Sequence, residues 1–353
     1  MDSRGFRHSF PMTSLPDDII MDIIARVPRS YYPTISLISR RFRSIIASPE
    51  LYTRRSLLRC TEHCLYALIY NPKNGHYHWY ILRRHKGFIL IPSLPIMHTH
   101  GSSVALGSKI YVLDGVYSNG VTSSVLTIDC TSNTVQPSFN IPKAMGETVA
   151  GIIDGKIYVL GECGLSKRVM VLNTEKQMWE TEVTKPPGLK IGQLWSGCVV
   201  MEGKIYMRDL DNSFVYVPKE KKWEMEEMLN SHKWQYACVL DDVLYYYDCL
   251  ANRLRAYDTK RKVWVVVKGG ERLLPETSWL RLPTISRWAY TMSCGEKLAV
   301  FFPKLDMIYS TKIWCAEIAL ERRQGGEIWG KFEWCGAVMD SDLLFVRCLD
   351  VMV

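Results

Sequence analysis

A hairpin-like motif recurs five times between residues 101 and 302 and constrains the fold more than any other feature. Each copy has two short apolar runs split by Asp-Gly or a close equivalent. One copy runs from Thr148 to Leu160 around Asp154-Gly155; others centre on Gly107-Ser108, Glu202-Gly203, Asp241-Asp242 and Gly295-Glu296. Two β-type runs joined by such a pair read as a tight antiparallel hairpin, because Asp and Gly tolerate the backbone such turns need. A third run follows, then a fourth carrying Trp: Val169–Asn173 leads to Trp179, Phe214–Pro218 to Trp223, and Leu254–Asp258 to Trp264. The second-strand Ile or Leu falls at 110, 157, 205, 244 and 298, in steps of 47, 48, 39 and 54 residues. Four strands per unit at that period predict a β-propeller.

The ends of the repeat region predict how the ring closes. Cys64–Pro72 and Trp79–Leu82 read as the third and fourth strands of a blade without its first two, and Cys335–Arg347 reads as two first strands without the last two. Joined, they make one composite blade and remove both open sheet edges. Five continuous blades and one shared blade give six. On such a scaffold the second-to-third loops and the blade-to-blade connectors share one face, where recognition usually sits. Trp195, Trp234 and Trp288 stand at three blade mouths. Trp is a favoured interface anchor, but recurrence at one blade position favours a packing role between blades. Trp279, Arg281 and Arg287, in the longest connector, are the better-exposed target-binding candidates.

Ahead of the repeats lies a stretch with helical spacing. Pro16 suits a first helical turn, and Asp17 and Asp18 sit at the positive end of the helix dipole. Ile19, Ile20, Ile23, Ile24 and Val27 form an apolar stripe that Pro28 ends. A second helix is expected from Pro33, with Ile35, Leu37, Ile38, Phe42, Ile45 and Ile46 apolar, and a third opens at Pro49. Three short helices bury too little surface to stand alone.

Leu15-Pro16, the Ile pairs, Val27-Pro28 and Ser39–Arg43 with Ile45 resemble the F-box. The Lys-Ile-Tyr hairpins with a downstream Trp resemble kelch repeats with a degraded double glycine, and the Trp-Asp pair of WD repeats is absent. Ile313–Trp334 is similar to the last repeat of plant F-box/kelch-repeat proteins. The fold class expected is therefore a small all-α F-box of three short helices followed by an all-β kelch-type six-bladed propeller. The boundaries read as a flexible N-terminus over 1–11, the F-box over 12–58 and the propeller over 59–353. The resemblance implies a non-catalytic substrate receptor of an SCF-type ubiquitin ligase. Its F-box would dock on a Skp-family adaptor, and through it on cullin and RING subunits, while the propeller holds an unknown target protein. The docking residues implied are Leu15, Pro16, Ile19, Ile20, Ile24 and Val27, with Leu37, Ile38 and Phe42 as seconds.

Composition restricts the alternatives. The net charge is +8, and the first 60 residues hold ten Lys/Arg against five Asp/Glu. A basic module favours an acidic partner, but no long Lys/Arg stripe interleaves with aromatics, so nucleic acid is not the expected partner. Eleven scattered cysteines and a polar, basic start without an apolar signal core read as reduced thiols of a cytoplasmic or nuclear protein. No apolar run suggests a membrane span. There is no Gly-x-Ser-x-Gly elbow and no P-loop. Cys60–Cys64, with His63, lacks a second ligand pair at zinc spacing. His76/His78 and His98/His100 have strand spacing but no sign of converging on an axis. No metal or cofactor is therefore expected. Two rivals remain: a ligase-independent kelch scaffold or regulator of an enzyme or cytoskeletal partner, and a kelch-type copper oxidase.

Overall fold

The computed structural model describes residues 15–84, 86–97, 101–113, 116–117, 120–121, 123–164, 166–182, 195–269, 288–305, 311–340 and 342–353. The expected flexible segment 1–11, His98, His100, Trp279, Arg281 and Arg287 lie outside them. The chain divides into two compact units, one of residues up to Glu62 together with Val353, the other spanning His63–Met352.

In the first unit, α1 (Asp17–Ala25) starts behind Pro16 with Asp17 and Asp18 in its first turn. The expected second helix is in fact two: α2 (Tyr32–Ile35) stops after one turn, and α3 (Arg40–Ala47) begins anew. The break lies at Ser39, whose backbone is extended and whose hydroxyl accepts from the Phe42 amide, a helix N-cap that an apolar-period count does not register. Helix α4 (Pro49–Leu57) has Pro49 in its first turn and is capped by Ser48 in the same way. Residues 59–62 also belong to this unit, since the Cys60 amide donates to Arg55 O and the Glu62 carboxylate accepts from the Arg29 amide.

The second unit holds six four-stranded antiparallel sheets and, between the second and third strands of the first of them, a two-stranded ribbon of Val116–Tyr117 and Gly120–Val121. Innermost strand first, blade 1 is Ser102–Leu106, Lys109–Leu113, Val125–Asp129 and Thr134–Pro137. Blade 2 is Gly146–Ile153, Lys156–Cys163, Ser166–Asn173 and Met178–Glu182. Blade 3 is Gly197–Met201, Lys204–Arg208, Ser213–Val217 and Lys222–Met225. Blade 4 is Cys238–Leu240, Val243–Asp248, Arg253–Asp258 and Val263–Val266. Blade 5 is Tyr290–Cys294, Lys297–Leu305, Thr311–Arg322 and Ile328–Asp340. Blade 6 joins Leu344–Met352 to His63–Asn71, His76–Arg83 and Gly87–Leu90. Each innermost strand approaches the next, and that of blade 6 approaches that of blade 1, so the ring is closed around an axial channel.

The six blades agree with the repeat count, but closure is one strand plus three, not two plus two. Residues 335–340 do not begin a new blade. They continue the outermost strand of blade 5, because Thr311–Arg322 is long enough to pair all the way to Lys312↔Asp340. At the other end Gly87–Leu90 adds an outer strand that the sequence reading lacked.

Local chemistry explains the turns. In the first-to-second turns Asp154-Gly155 and Glu202-Gly203 both residues take positive φ, the mirror-image turn that matches strand twist. Asp241-Asp242 takes the same conformation without glycine, and the Asp242 carboxylate accepts from the Glu202 amide of blade 3, linking the two turns. Third-to-fourth turns end on a left-handed Asn133, Gln177, Lys221 or Lys262. The basic turns 219–222 and 260–262 fall there, exposed. The recurrent outer-strand Trp residues tie down neighbouring connectors: Trp179 donates to Phe139 O at 2.7 Å and Trp264 to Met228 O at 3.0 Å. Apolar clusters fill the spaces between successive blades, among them Val243, Tyr245, Val300 and Phe302 between blades 4 and 5. All eleven cysteines are free thiols.

The closing strand generates a contrast. Val351 is buried opposite Cys64, whereas its neighbour Met352 is exposed. Val351→Asp should lower propeller stability by about 3–5 kcal/mol, the cost of an uncompensated buried charge, and Met352→Asp should stay within about 0.5 kcal/mol. Urea unfolding followed by tryptophan fluorescence checks both.

Candidate docking surfaces

In the helical unit, the apolar stripe of α1 divides. Ile20 and Ile24 turn inward with Ala25, Tyr32, Phe42, Ile45 and Leu51 to form one core, while Ile19 and Ile23 are exposed. This corrects three of the docking candidates in their placement: Ile20, Ile24 and Phe42 hold the helices to each other. Leu15 and Val27 are half-buried against that core. Pro16, Ile19, Leu37 and Ile38 are exposed, Leu37 and Ile38 by 76% and 61%. The α2–α3 break explains these last two: they lie in the turn that replaces the expected helix, and so leave the stripe. Ile23 and Leu57 are exposed apolar residues that the sequence reading did not select. The i, i+4 relation of Ile19 and Ile23 was the signal for the first. Leu57 closes a shallow groove of about 330 Å³ with Asp18, Met21, Pro49, Glu50, Thr53 and Arg54.

A buried arginine locks this unit. Arg55 Nη1 donates to Ala25 O at 3.0 Å, Val27 O at 2.9 Å and Tyr32 Oη at 2.8 Å, and Nη2 donates to Glu62 Oε1 at 2.8 Å. Burial alone would lower the guanidinium pKa, but Glu62 and Tyr32 outweigh it and the net shift is upward. The bonds satisfy the carbonyls at the end of α1. At the surface, Arg41 bridges Asp17 and Leu15 O, and Arg54 pairs with Asp22. Arg55→Ala should destabilise the helical unit by about 3 kcal/mol because it strands buried acceptors. Arg55→Lys should restore little, since one ammonium cannot span the fork. Amide exchange over 17–57 measures both.

On the propeller, the face of the second-to-third turns is built from short turns held by buried charge. At 209–212 the Asp209 carboxylate accepts from the amides of Asp211 and Asn212 at 2.7 and 2.6 Å. Arg208, fully buried, donates to Ser213 Oγ at 3.2 Å and Leu210 O at 3.5 Å. At 249–252 the Asp248 carboxylate accepts from Leu250 and Ala251 amides at 3.1 and 3.0 Å, and from Arg255 Nε at 2.7 Å. Each turn presents one leucine, Leu210 at 57% and Leu250 at 83% exposure. Neither was selected from sequence; an Asp one or two residues before an apolar turn residue, with Asn ending the turn, was the available signal.

Trp234 is corrected as a target anchor. It is 0% exposed, donates to Ser213 Oγ at 3.1 Å, and lies so close to Gly197 that a Cβ there would sit 3.0 Å from the indole. It plugs the space between blades 3 and 4. Trp195 is half-buried, edge-on to Phe214 at 6.1 Å. The Lys167 ammonium lies 4.5 Å from its ring and 3.5 Å from Glu162. Burial lowers the Lys167 pKa, and Glu162 offsets this only in part. Trp288 stacks on Phe345 at 6.0 Å. Among the described residues no group of three or more His, Cys, Asp or Glu is placed to hold a metal ion. No helix there is long and apolar enough to cross a membrane.

A small helical unit followed by a closed six-bladed propeller defines the class by architecture: a two-part helical-module and propeller protein. The chain matches the F-box domain over residues 12–54 and the FKB95 Kelch-repeats domain over residues 65–339. It is similar to an F-box/kelch-repeat protein of Arabidopsis thaliana, 45% identical over 96% of this chain and 94% of the relative. It is also similar to a second F-box/kelch-repeat protein of that plant, 36% identical over 96% of this chain and 90% of the relative. The chain belongs to the F-box/kelch-repeat family.

The Asp248 turn carries a pH signature. Burial opposes its ionisation, but the Ala251 and Leu250 amides and Arg255 outweigh it and hold the carboxyl below its ordinary 3.8. A depressed folded pKa gives stability that is complete above the unfolded value and lost as pH falls through the folded one. Protection of the Leu250 and Ala251 amides, corrected for intrinsic exchange, should therefore be constant at neutral pH and fall only below about pH 4. In Asp248→Asn it should be low throughout.

Proposed function

We propose that the protein is the substrate-recognition subunit of an SCF-type E3 ubiquitin ligase. The observation that carries this reading is the union in one chain of an F-box, with an exposed apolar set at Pro16, Ile19, Ile23, Leu37 and Ile38, and a closed kelch propeller. The F-box docks on a Skp-family adaptor, which joins it to cullin and RING subunits. The propeller binds a target protein by the face of its second-to-third turns. The chain contributes no catalytic group; its effect is proximity, holding a target lysine near the ubiquitin-loaded enzyme and raising its effective concentration. The compartment this implies is cytoplasm or nucleus.

Pro16, Leu37 and Ile38 are exposed and Leu15 only borders the helical core, so replacing them leaves its central contacts in place. Leu37→Glu with Ile38→Glu, and separately Leu15→Ala with Pro16→Ala, should each reduce capture of a purified Skp-family adaptor by about tenfold or more, the loss expected when central interface contacts are removed. Amide protection of α1 and α4 should stay intact. Undiminished capture by both double variants would refute this docking surface, and no capture by the unmodified chain would refute the function.

A further inference from the structure

The innermost strands of blades 4, 5 and 6 begin at the target-side end of the axial channel, and there they bring a continuous chain of aromatic rings together. The Tyr236 and Tyr290 rings lie 5.7 Å apart, Tyr290 meets Phe345 edge to face at 5.1 Å, and Phe345 stacks on Phe301 at 4.9 Å. Tyr236 is the exposed end of this chain, at 48%. Its φ of +53° is a left-handed conformation that a bulky aromatic residue rarely adopts. The backbone is held there by the neighbouring blade, since the Thr291 amide donates to Tyr236 O at 2.9 Å. Local strain that the surrounding structure enforces tends to collect at binding sites.

Beyond Phe345 a β-bulge interrupts the ladder, so Phe345, opposite Ile69, packs toward blade 5 while Arg347, opposite Leu68, turns toward blade 1; the Tyr290 hydroxyl donates to Cys348 O at 3.5 Å, which brings the end of the ring chain next to Arg347. Arg347 Nη1 donates to Ser102 Oγ at 3.4 Å and Ser103 O at 3.2 Å on the innermost strand of blade 1, both neutral acceptors. Among the described residues no carboxylate pairs with it within 4.0 Å, and Nε and Nη2 make no hydrogen bond. Burial pushes the Cys198 thiol of blade 3, directly across the ring, up to about 12, with Arg347 pulling the other way. The Tyr290 phenol of blade 5 is likewise raised to about 12 by burial, against Arg347. The buried hydroxyls Ser103 Oγ and Thr291 Oγ1, on the strands flanking the same mouth, have no hydrogen-bond partner among the described residues.

We propose that this mouth is the recognition site for an acidic peptide segment of the target, with an Asp or Glu carboxylate on the Arg347 guanidinium and an adjoining aromatic or aliphatic side chain against Tyr236 and Tyr290. This rests on the receptor reading above and specifies what the receptor takes. A guanidinium with a free fork matches a carboxylate in two parallel bonds, and a partly enclosed channel strengthens that attraction relative to open water. The rings beside it reward an apolar neighbour. A lone small anion would use the guanidinium and leave the rings uncovered.

The test selects short random peptides, displayed on phage, against the intact full-length chain, then measures the affinity of the enriched peptides by fluorescence anisotropy. Enriched peptides should share an Asp or Glu next to an aromatic or aliphatic residue. Arg347→Gln should weaken them by about tenfold or more, the loss of a charge-assisted pair, and Arg347→Glu should shift selection to peptides bearing Lys or Arg. Tyr236→Gly removes the positive-φ strain, so its melting temperature should be no lower than that of the unmodified chain while peptide affinity falls. Should Arg347→Gln and Arg347→Glu fail to fold, Tyr236→Gly and the conservative Arg347→Lys decide. Enrichment without an acidic residue, no enrichment, affinity unchanged in folded Arg347→Gln, or acetate and phosphate competing as well as the peptide would each overturn the proposal. Skp-family adaptor capture by the same variants should remain at the unmodified level. Absence of adaptor capture by the unmodified chain would remove the ligase reading and leave the peptide result to stand or fall by itself.

Discussion

Closure of the propeller depends on one ladder, that between His63–Asn71 and Leu344–Met352. Every other blade is a continuous stretch of chain whose strands find their partners locally. Blade 6 alone must unite segments far apart in sequence, as in the His63–Asp350 contact at 2.7 Å across 287 residues. Without it two sheet edges would be open and the blade 5 cluster built on Phe301, Ile313 and Cys315 would lose Leu65, Ala67, Ile69 and Cys348 as its other wall. The channel mouth depends on the same ladder, since Phe345 and Arg347 belong to the closing strand.

The second organising element is charge placed inside. Arg55 ends α1 by bonding carbonyls that a helix leaves open, and Arg208 with Asp209 and Asp248 with Arg255 stiffen two second-to-third turns. In each case the charged group satisfies backbone atoms, which is why it is tolerated despite desolvation. The result is that loop tips one residue wide, Leu210 and Leu250, are held by a frame deeper than the loop. Rigid presentation lowers the ordering cost of binding.

Much of this architecture is legible in the chain. The Asp-Gly-type hairpins, their period and the downstream Trp residues determine the four-stranded unit and the number of blades, because turn chemistry and alternation are local properties. The helical start is legible for the same reason. What escaped depends on partners distant in sequence. Cys335–Asp340 reads equally well as a first strand or as the end of a fourth, and only the length of Thr311–Arg322 decides. Leu37 and Ile38 fit a helical stripe until the Ser39 cap divides it. Of the docking candidates, Ile20 and Ile19 are adjacent and chemically identical, and their opposite fates follow from which side α4 covers. Trp234 has the composition of an interface anchor and the environment of a core residue, a difference made by Gly197 on the neighbouring blade. Arg347 stood in a segment read only as strand, since its significance lies in the lack of an acid beside it.

The one-plus-three closure also sets an order of events during synthesis. Three strands of blade 6 emerge before blade 1, yet the strand that completes their sheet emerges after all five other blades. Loop closure over that span is entropically slow, and contacts so remote in sequence delay folding. Through that interval His63–Asn71 presents an unpaired edge. The helical unit, whose contacts are almost all local, needs no such wait. A chain interrupted before Leu344 would thus retain the docking module and lack the channel mouth. Premature termination late in this chain would therefore separate the fate of the helical unit from that of the propeller.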